Sequence, residues 1–484
     1  MSLRRLVYIV ASVVEAVGAA MLSASVVALI YQDWGDAGSI TIGAAVAIFA
    51  GDAVRRWAGA AGELTTREGF AAVALSWGAM VFVGTLPFLL TGAVEGFTNA
   101  FFETASGFTT TGASVVADPA ELSKAILWWR ALTQWMGGMG IIVLSIAILP
   151  LLGVGGVQLA RAESPGPTPD RLTPRFRETA KRLWYVYLSF TVLEIGFLVF
   201  SDMSLFDAVT HSFTTMSTGG FGTEAASLGA FNAYAQWVVI VFMVLAGASF
   251  ALHYRAIALR KPIEYVRHSE FRLYTAILAA AAVFIVVGTW GGAIAETIRD
   301  AVFTSVALVT TTGFATADFG QWASALQILA VGLMFVGGMA GSTAGSVKVY
   351  RLGVLYSGSK ADLRRLIHPR GVFVTRLGKD PVPDPIAESV QSFFLLYMFV
   401  FMTGVLAFAV IESSVGAGFD LASSASAVAS AIGNIGPGLG EVGPASNYAA
   451  VPAGGKWLLS FLMIVGRLEL FPVLLLFTRE LWRR

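Results

Sequence analysis

Apolar runs about as long as a lipid bilayer is thick are the feature of this sequence that most restricts its fold. Clear examples are Leu183–Phe200, Thr275–Trp290, Phe393–Ile411 and Leu458–Phe477. A helix needs about 20 mostly apolar residues to cross the hydrocarbon core of a membrane. The composition agrees, because 56% of the residues are hydrophobic and only 13% are charged, unlike a soluble globular protein. The sequence therefore predicts an all-α integral membrane protein.

Basic residues predict the orientation of the chain in the membrane. Laid out from a cytoplasmic N-terminus, the apolar segments make about ten spans of bilayer length and four shorter stretches. Most lysines and arginines then lie on the cytoplasmic side, in the loops Arg161–Arg182, Arg255–Arg272 and Arg351–Lys379. Because cytoplasmic loops are rich in Lys and Arg, both termini are predicted to be cytoplasmic. Membrane topology explains these loops better than nucleic-acid binding does, so no nucleic-acid partner is predicted.

An internal repeat gives the chain its predicted organisation. After two separate spans, at Leu6–Tyr31 and Ile40–Val54, one unit recurs four times. Each copy has a span, a short amphipathic segment, a strip that contains glycine, and a second span. A period of this length suits a duplicated membrane module rather than a solenoid. The predicted parts are a two-helix segment at residues 1–66 and pore repeats at residues 67–160, 161–262, 263–360 and 361–484, the third with a broken second helix.

The strips are the most regular part of the repeat. They read Thr110-Thr111-Gly112-Ala113-Ser114, Ser217-Thr218-Gly219-Gly220-Phe221, Thr311-Thr312-Gly313-Phe314-Ala315 and Asn434-Ile435-Gly436-Pro437-Gly438. Asn99, Asp207 and Asp300 lie 13, 12 and 13 residues before the first three central glycines, and Asn and Asp are good helix N-caps. In the fourth copy Asp420 lies 16 residues upstream, while Ser423 has the matching spacing. Each strip is therefore predicted to follow a short capped helix.

The helix before each strip is too short to cross the membrane, since about 12 residues at 1.5 Å each span too little. Such a helix can enter and return only if its non-helical strip is buried in protein or faces water. Around one axis, four strips would present backbone carbonyls and threonine hydroxyls, the oxygen ligands that replace water around a monovalent cation. The alternative is that the strips are small-residue packing motifs between helices. Their recurrence in four repeats favours cation binding.

Family resemblance rests on four segments that hold these strips, Ser106–Gly112, Ser217–Phe221, Thr310–Phe314 and Gly433–Gly438. Read in this order, they resemble the filter segments of the Trk/Ktr/HKT superfamily of potassium transporters. The extra N-terminal helix pair makes the chain most similar to the bacterial TrkH type. The resemblance implies two N-terminal helices followed by four pseudo-fourfold helix–re-entrant pore helix–helix repeats around a central pore.

The same resemblance implies the residues of a potassium filter. They are Thr110, Thr111, Gly112 and Ala113, then Ser217, Thr218, Gly219 and Gly220, then Thr311, Thr312, Gly313 and Phe314, and finally Asn434, Ile435, Gly436 and Pro437. Within this set K+ would be held at Thr111, Gly112, Thr218, Gly219, Thr312, Gly313, Ile435 and Gly436. In plant relatives a serine at the first filter glycine accompanies sodium preference, so Gly112 favours potassium.

The second span of the third repeat contains a run of glycines, each of which costs a helix about 1 kcal/mol relative to alanine. A local loop is therefore predicted there, although Gly341 and Gly345 could instead allow close helix packing. By resemblance this loop is a gate below the filter. The predicted gate residues are Gly337, Gly338, Gly341, Ser342, Thr343, Gly345 and Ser346, with Lys348 and Arg467. The last two are charges at membrane depth, which are functional candidates, but Arg467 could also form a salt bridge or extend to the cytoplasmic surface.

A membrane-embedded enzyme is the alternative of another class. The chain has four histidines, and they lack the spacing of metal ligands: His211, His253, His268 and His368. The sequence also has no nucleophile elbow and no P-loop. No enzymatic activity and no organic cofactor are therefore expected. Proton- or sodium-coupled potassium symport stays open, although a carbonyl-lined pore favours channel-like flux. Glu15 and Glu194 fall in apolar runs, but a hydrogen bond to a neighbouring helix explains them better than a proton relay does.

The resemblance also implies the partners and the location of the chain. The basic cytoplasmic loops would suit a separate cytosolic nucleotide-binding regulatory subunit of the TrkA type. The protein would be a homodimer with one pore in each subunit. It would lie among the lipids of the bacterial cytoplasmic (inner) membrane as a multi-pass protein.

Overall fold

The computed structural model describes residues 2–59, 65–147 and 173–482. Within these ranges nearly all regular structure is helical, and one small hairpin pairs β1 (Arg376–Leu377) with β2 (Asp380–Pro381) in antiparallel fashion. The predicted all-α class is therefore confirmed. The predicted repeat boundary at 160/161 and the first part of the basic loop at 161–182 lie outside the described residues.

Two long helices at the N-terminus, α1 (Leu3–Ile30) and α2 (Trp34–Ala58), pack closely against each other. Small residues allow this approach, since a Cβ added at Gly51 would lie 3.1 Å from the backbone nitrogen of Glu15. Arg55 of α2 forms an ion pair with the Glu15 carboxylate at 2.8 Å. The carboxylate in the first apolar run is thus paired within this helix hairpin.

Four units of the predicted kind follow the N-terminal pair. Repeat one comprises α3 (Thr66–Gly84), α4 (Leu86–Thr91), the short helix α5 (Phe97–Phe108) and α6 (Lys124–Ala147). Repeat two comprises α7 (Thr173–Leu198), the short helix α8 (Leu205–Met216), α9 (Ala233–Ala246), α10 (Phe250–His253) and α11 (Ile263–Arg267). Repeat three comprises α12 (Ser269–Gly288), the short helix α13 (Ile294–Val309), α14 (Ser324–Met334) and α15 (Val349–Ile367). Repeat four comprises α16 (Asp384–Val415), the short helix α17 (Leu421–Gly433), α18 (Ala453–Arg467), α19 (Phe471–Leu475) and α20 (Arg479–Trp482).

A single 3₁₀ turn between each short helix and the next long helix is a further sign of the repeat. These turns are Pro119–Glu121, Ser227–Ala230, Phe319–Gln321 and Gly440–Val442. Among the residues that the structure describes, five helical segments could cross a membrane by length and composition: α1, α2, Arg67–Thr91, α12 and α16. In addition, α6 and α7 are 24 and 26 residues long.

The second helices of three repeats are interrupted. In repeat two, α9 and the segment Phe250–Ala258 meet at 98°. In repeat three, residues 335–348 separate α14 from α15. In repeat four the backbone turns at Glu469 and Leu470, both with positive φ, so the run Leu458–Phe477 is not the single span that was predicted. The sequence therefore indicated the break in repeat three but not those in repeats two and four.

The interruptions of repeats two and three share hydrogen bonds. The Met339 N–H donates to the Gly247 carbonyl at 2.8 Å, and the Phe250 N–H donates to the Gly341 carbonyl at 3.1 Å. Backbone polar groups within a membrane must find partners inside the protein. The loop of repeat three supplies those partners, which is why α9 can end at this depth.

The N-cap prediction for the short helices is wrong in the first three repeats. Asn99, Asp207 and Asp300 lie inside α5, α8 and α13 rather than before them. The two aspartates have another partner, because Asp207 accepts the Thr223 hydroxyl at 2.9 Å and Asp300 accepts the Thr316 hydroxyl at 3.0 Å. Both acids thus tie their short helix to the chain that leaves the following strip.

Asp420, in contrast, caps α17. Its carboxylate accepts the Ser423 N–H at 2.7 Å, and hydrogen bonds from the side chain and backbone of Ser423 lower the pKa of Asp420. We expect Asp420→Ala to cost about 1 kcal/mol of stability and to lower the melting temperature of the purified protein in a thermal-shift assay. Asp420→Asn keeps an acceptor oxygen and serves as the control. Equal melting temperatures for wild type and Asp420→Ala would contradict the assignment.

Candidate functional site

Two residues of every strip have a left-handed backbone. They are Thr110 and Gly112, Thr218 and Gly220, Thr311 and Gly313, and Asn434 and Gly436, with φ between +52° and +108°. Each pair directly follows one of the short helices α5, α8, α13 and α17. Because a positive φ is uncommon for residues other than glycine, its recurrence at matched positions shows that the four strips share one backbone conformation.

This conformation corrects the predicted register of the second strip. Gly220, rather than Gly219, has the left-handed conformation of Gly112 and Gly313, and φ is not positive at Gly219. Asp207 lies 13 residues before Gly220, which is the spacing found in the first and third repeats. The 12-residue spacing from Asp207 to Gly219 was therefore the sign in the sequence that the predicted central glycine of strip two was one residue too early.

The four left-handed glycines close a ring from strip to strip. The glycine–carbonyl pairs are Gly112 with Gly219, Gly220 with Thr312, Gly313 with Ile435, and Gly436 with Thr111. In the first three pairs a Cβ on the glycine would collide with the carbonyl oxygen, and in the fourth it would lie 2.9 Å from it. Each strip faces the next and the fourth faces the first, so four equivalent carbonyls surround one axis.

Side-chain hydroxyl groups form hydrogen bonds within and next to the strips. In strips one and three the hydroxyls two residues apart are 2.8 Å from each other, in the pairs Thr109–Thr111 and Thr310–Thr312. In repeat four, the hydroxyls of Ser430 and Tyr448 donate to the Gly436 carbonyl at 2.7 and 2.8 Å. The hydroxyls of Thr111 and Thr312, predicted to be available to an ion, thus bond a threonine just before their own strip.

A buried ion pair of repeat one lies where the first strip ends, and its arginine also bonds repeat two. Glu103 of α5 and Arg130 of α6 lie 2.9 Å apart, with 0% and 2% exposure. Arg130 also donates to the Gly222 carbonyl at 3.2 Å, and Glu103 accepts the Ser114 hydroxyl at 2.9 Å. Breaking a buried pair by removing one partner is strongly destabilising. No pattern in the sequence connects Arg130 with Glu103.

The loop at residues 335–348 is closed at its base. The Gly337 N–H donates to the Val347 carbonyl at 2.8 Å, and the Val349 N–H donates to the Gly338 carbonyl at 3.1 Å. These two hydrogen bonds join the start of the loop to its end, and we call this pair of bonds the neck of the loop. The predicted interruption of this span is confirmed.

The tip of this loop contacts three repeats next to the strips. The Thr343 hydroxyl donates to the carbonyls of Met216 and Ala246, at 3.1 and 3.2 Å. The Gly345 N–H donates to the Thr311 hydroxyl at 2.7 Å, and a Cβ at Gly345 would collide with the Gly433 carbonyl. The loop tip is thus packed against the ends of α8, α13 and α17.

Arg467 joins the remaining repeat to the same loop. Its guanidinium donates to the Thr343 carbonyl at 2.6 Å and to the Gly137 carbonyl of α6 at 3.2 Å. Arg467 is buried, and so is Lys348, whose ammonium donates to the Ala344 carbonyl. Both charges are therefore directed to backbone carbonyls at the loop, and neither extends into lipid.

Two further carboxylates hold the loop region, and sequence analysis did not assign either to it. Glu469 pairs with Arg351 of α15. Glu270 of α12 accepts the N–H groups of Ala340 and Tyr350, at 2.7 and 3.2 Å. No spacing in the sequence connects these positions, because Glu469 bonds another repeat and Glu270 bonds a residue 70 positions away.

The residues weighed for other chemistry do not form a site in the described part of the chain. Within it, no group of three or more His, Cys, Asp or Glu could hold a metal ion. His253 bonds the Tyr265 hydroxyl at 2.7 Å and the Leu245 carbonyl at 2.8 Å, as a structural residue does. Glu194 is fully buried beside Thr215 of α8.

Comparison with known proteins agrees with this architecture. The family model described as TrkH, cation transport protein, matches residues 38–483. The Trk system potassium uptake protein TrkH of Halomonas elongata is 42% identical over 431 residues, which cover 87% of each chain. TrkH of Escherichia coli K12 is 39% identical over 493 residues, covering both chains fully. The crystal structure of the potassium transporter TrkH from Vibrio parahaemolyticus aligns with a TM-score of 0.91 at 36% identity, over all of both chains. The predicted family is therefore confirmed, and this chain belongs to the TrkH family of cation transport proteins.

Proposed function

We propose that this protein takes up potassium across the bacterial inner membrane through a passage between the four strips. The closed ring of glycine–carbonyl pairs is the observation that carries the proposal. Rings of backbone carbonyls are the ligands with which channels replace the hydration shell of K+. The names of the Halomonas and Escherichia relatives as potassium uptake proteins support the choice of ion.

In this proposal the ion ligands are backbone carbonyl oxygens of two residues at matched positions in each strip. They are Thr111 and Gly112, Gly219 and Gly220, Thr312 and Gly313, and Ile435 and Gly436. Relative to the sequence prediction, the second repeat contributes Gly219 and Gly220 in place of Thr218 and Gly219. Ala113 and Pro437 stand beside the ring where the other strips have Phe221 and Phe314.

We also propose that the loop at residues 335–348 is a closed gate. Two observations support this: its tip lies against three short helices, and Arg467 attaches it to α6. A cation would meet the loop, Lys348 and Arg467 on the cytoplasmic side of the ring. Repulsion from the two buried positive charges would add to the steric obstruction.

A cytosolic nucleotide-binding subunit and a second copy of the chain complete the proposal. The segments 255–272 and 351–379 are largely helical rather than the loops that were predicted. They expose basic residues beside large apolar ones, such as Arg364 and Leu366 of α15. A surface of that kind suits a protein partner. The relatives are named as parts of a Trk system, which agrees with a multi-component assembly, and the homodimer rests on family likeness.

Ion flux into liposomes that contain the purified protein tests the proposed activity. We expect uptake of K+ and Rb+ to exceed uptake of Na+ and to be unchanged by an imposed pH gradient, because a continuous line of carbonyls needs no coupled proton. Protein-free liposomes are the control. Uptake that requires the pH or sodium gradient would support symport instead, and absence of K+ preference would contradict the filter.

A further inference from the structure

The second strip differs from strips one and three in the residue that precedes its left-handed glycine. Strips one and three have threonine at the position that Gly219 occupies in strip two, and those threonines, Thr111 and Thr312, bond neighbouring hydroxyls. Gly219 has no side chain to do this, although φ there is not positive. Backbone conformation therefore does not explain why a glycine stands at this position.

Gln134 of α6 fills the space that a side chain at Gly219 would take. A Cβ added at Gly219 would collide with the carboxamide carbon of Gln134. Gln134 is fully buried, and it belongs to repeat one rather than to repeat two. A side chain from the neighbouring repeat has thus replaced the missing threonine.

The carboxamide of Gln134 bonds both peptide groups that flank Gly220. Its Nε2 donates to the Gly219 carbonyl at 2.7 Å, and its Oε1 accepts the Phe221 N–H at 3.1 Å. One partner is an acceptor and the other a donor, so only one orientation of the amide satisfies both. These two bonds fix the left-handed turn at Gly220 and the direction of the Gly219 carbonyl.

We propose that Gln134 is a specificity-determining residue that sets the strength of the Gly219 carbonyl as an ion ligand. The inference rests on the proposed passage between the strips. A carbonyl oxygen has two lone pairs, so Gly219 can bond Gln134 and still face an ion. Discrimination between K+ and Na+ depends on the number and field strength of the coordinating carbonyls. Of the four carbonyls at this ring position, that of Gly219 accepts a hydrogen bond from Gln134, so its strength as an ion ligand differs from that of the other three.

The first test is Gln134→Leu, which removes both hydrogen bonds at similar volume. We expect the ratio of Na+ to K+ flux in liposomes to rise roughly tenfold, the effect of about one net hydrogen bond. Gln236→Leu is the matched control, because Gln236 is also buried but bonds the carbonyls of Leu228 and Phe231 in a surface turn, both at 3.0 Å. Its flux ratio should stay that of wild type.

The second test exchanges the two residues. Gly219→Thr alone should lose K+ preference, because the threonine side chain would collide with Gln134. Combining it with Gln134→Ala removes the collision and gives strip two the threonine found in strips one and three, so this double variant should recover K+ preference. This pair decides the matter if Gln134→Leu does not fold. A double variant that is no better than Gly219→Thr alone would count against the inference.

Gly112→Ser separates the inference from the proposed function. If Gly112→Ser loses K+ preference while folded Gln134→Leu keeps it, the passage stands and the role of Gln134 is wrong. If folded Gly112→Ser and Gln134→Leu both keep wild-type selectivity, the passage between the strips is itself wrong. Loss of K+ preference in both variants, with Gln236→Leu unchanged, is the expected result.

Discussion

Gly313→Ala is expected to lower potassium flux to the level of protein-free liposomes. Gly313 has φ of +74°, and a Cβ there would collide with the Ile435 carbonyl. A left-handed alanine costs about 1–2 kcal/mol in backbone energy alone. Relief of the collision requires one strip to move away from the next, which opens the ring of carbonyls. The measurement is K+ or Rb+ uptake by the reconstituted protein.

Gly332→Ala is the matched control for this prediction. Gly332 belongs to α14 of the same repeat, its φ is not positive, and an added Cβ would meet nothing within 4 Å. It should therefore conduct like wild type and, as alanine favours helix, be at least as stable. Normal flux through a folded Gly313→Ala variant would be incompatible with a passage at the ring.

Shortening the loop of repeat three is expected to raise potassium flux at least tenfold in the absence of any partner. Deletion of residues 341–345 removes the tip, with the contacts of Thr343 and Gly345 to the surrounding helices and to Arg467. Each such hydrogen bond contributes about 1 kcal/mol to the closed arrangement. The neck formed by Gly337 and Val347 lies outside the deletion and should still close the loop.

Thr343→Val provides a milder variant of the same design. It keeps the side-chain shape but removes the hydroxyl that donates to the Met216 and Ala246 carbonyls, so a smaller rise in flux is expected. The K+ to Na+ ratio should be unchanged in both variants, since the ring itself is intact. Unchanged flux through a folded, selective deletion variant would show that the loop is not the gate.

The length of the apolar runs and the recurrence of the strips were sufficient to predict the fold class and the fourfold organisation. Both are local properties of the chain, since bilayer thickness sets helix length and a repeated motif repeats its backbone conformation. The spacing of Asp207 even contained the correct register of the second strip, because 13 residues separate it from Gly220.

The hydrogen-bond partners of buried side chains were not predictable in this way. Asp207 and Asp300 were expected to cap helices, a local role, but they bond threonines 16 residues away. The break in repeat two likewise depends on the loop of repeat three, since Met339 N–H donates to the Gly247 carbonyl and Phe250 N–H donates to the Gly341 carbonyl.

The sequence alone therefore determined that four strips exist, and only the tertiary structure decided how they are held. The strips follow from local backbone preferences, which short segments carry. Gln134 and Arg467 bond a strip and a loop of other repeats, and Glu270 bonds a loop residue 70 positions away in its own repeat. No periodicity in the sequence records these separations. Burial requires each polar group to find a partner, and packing of the repeats decides which partner that is.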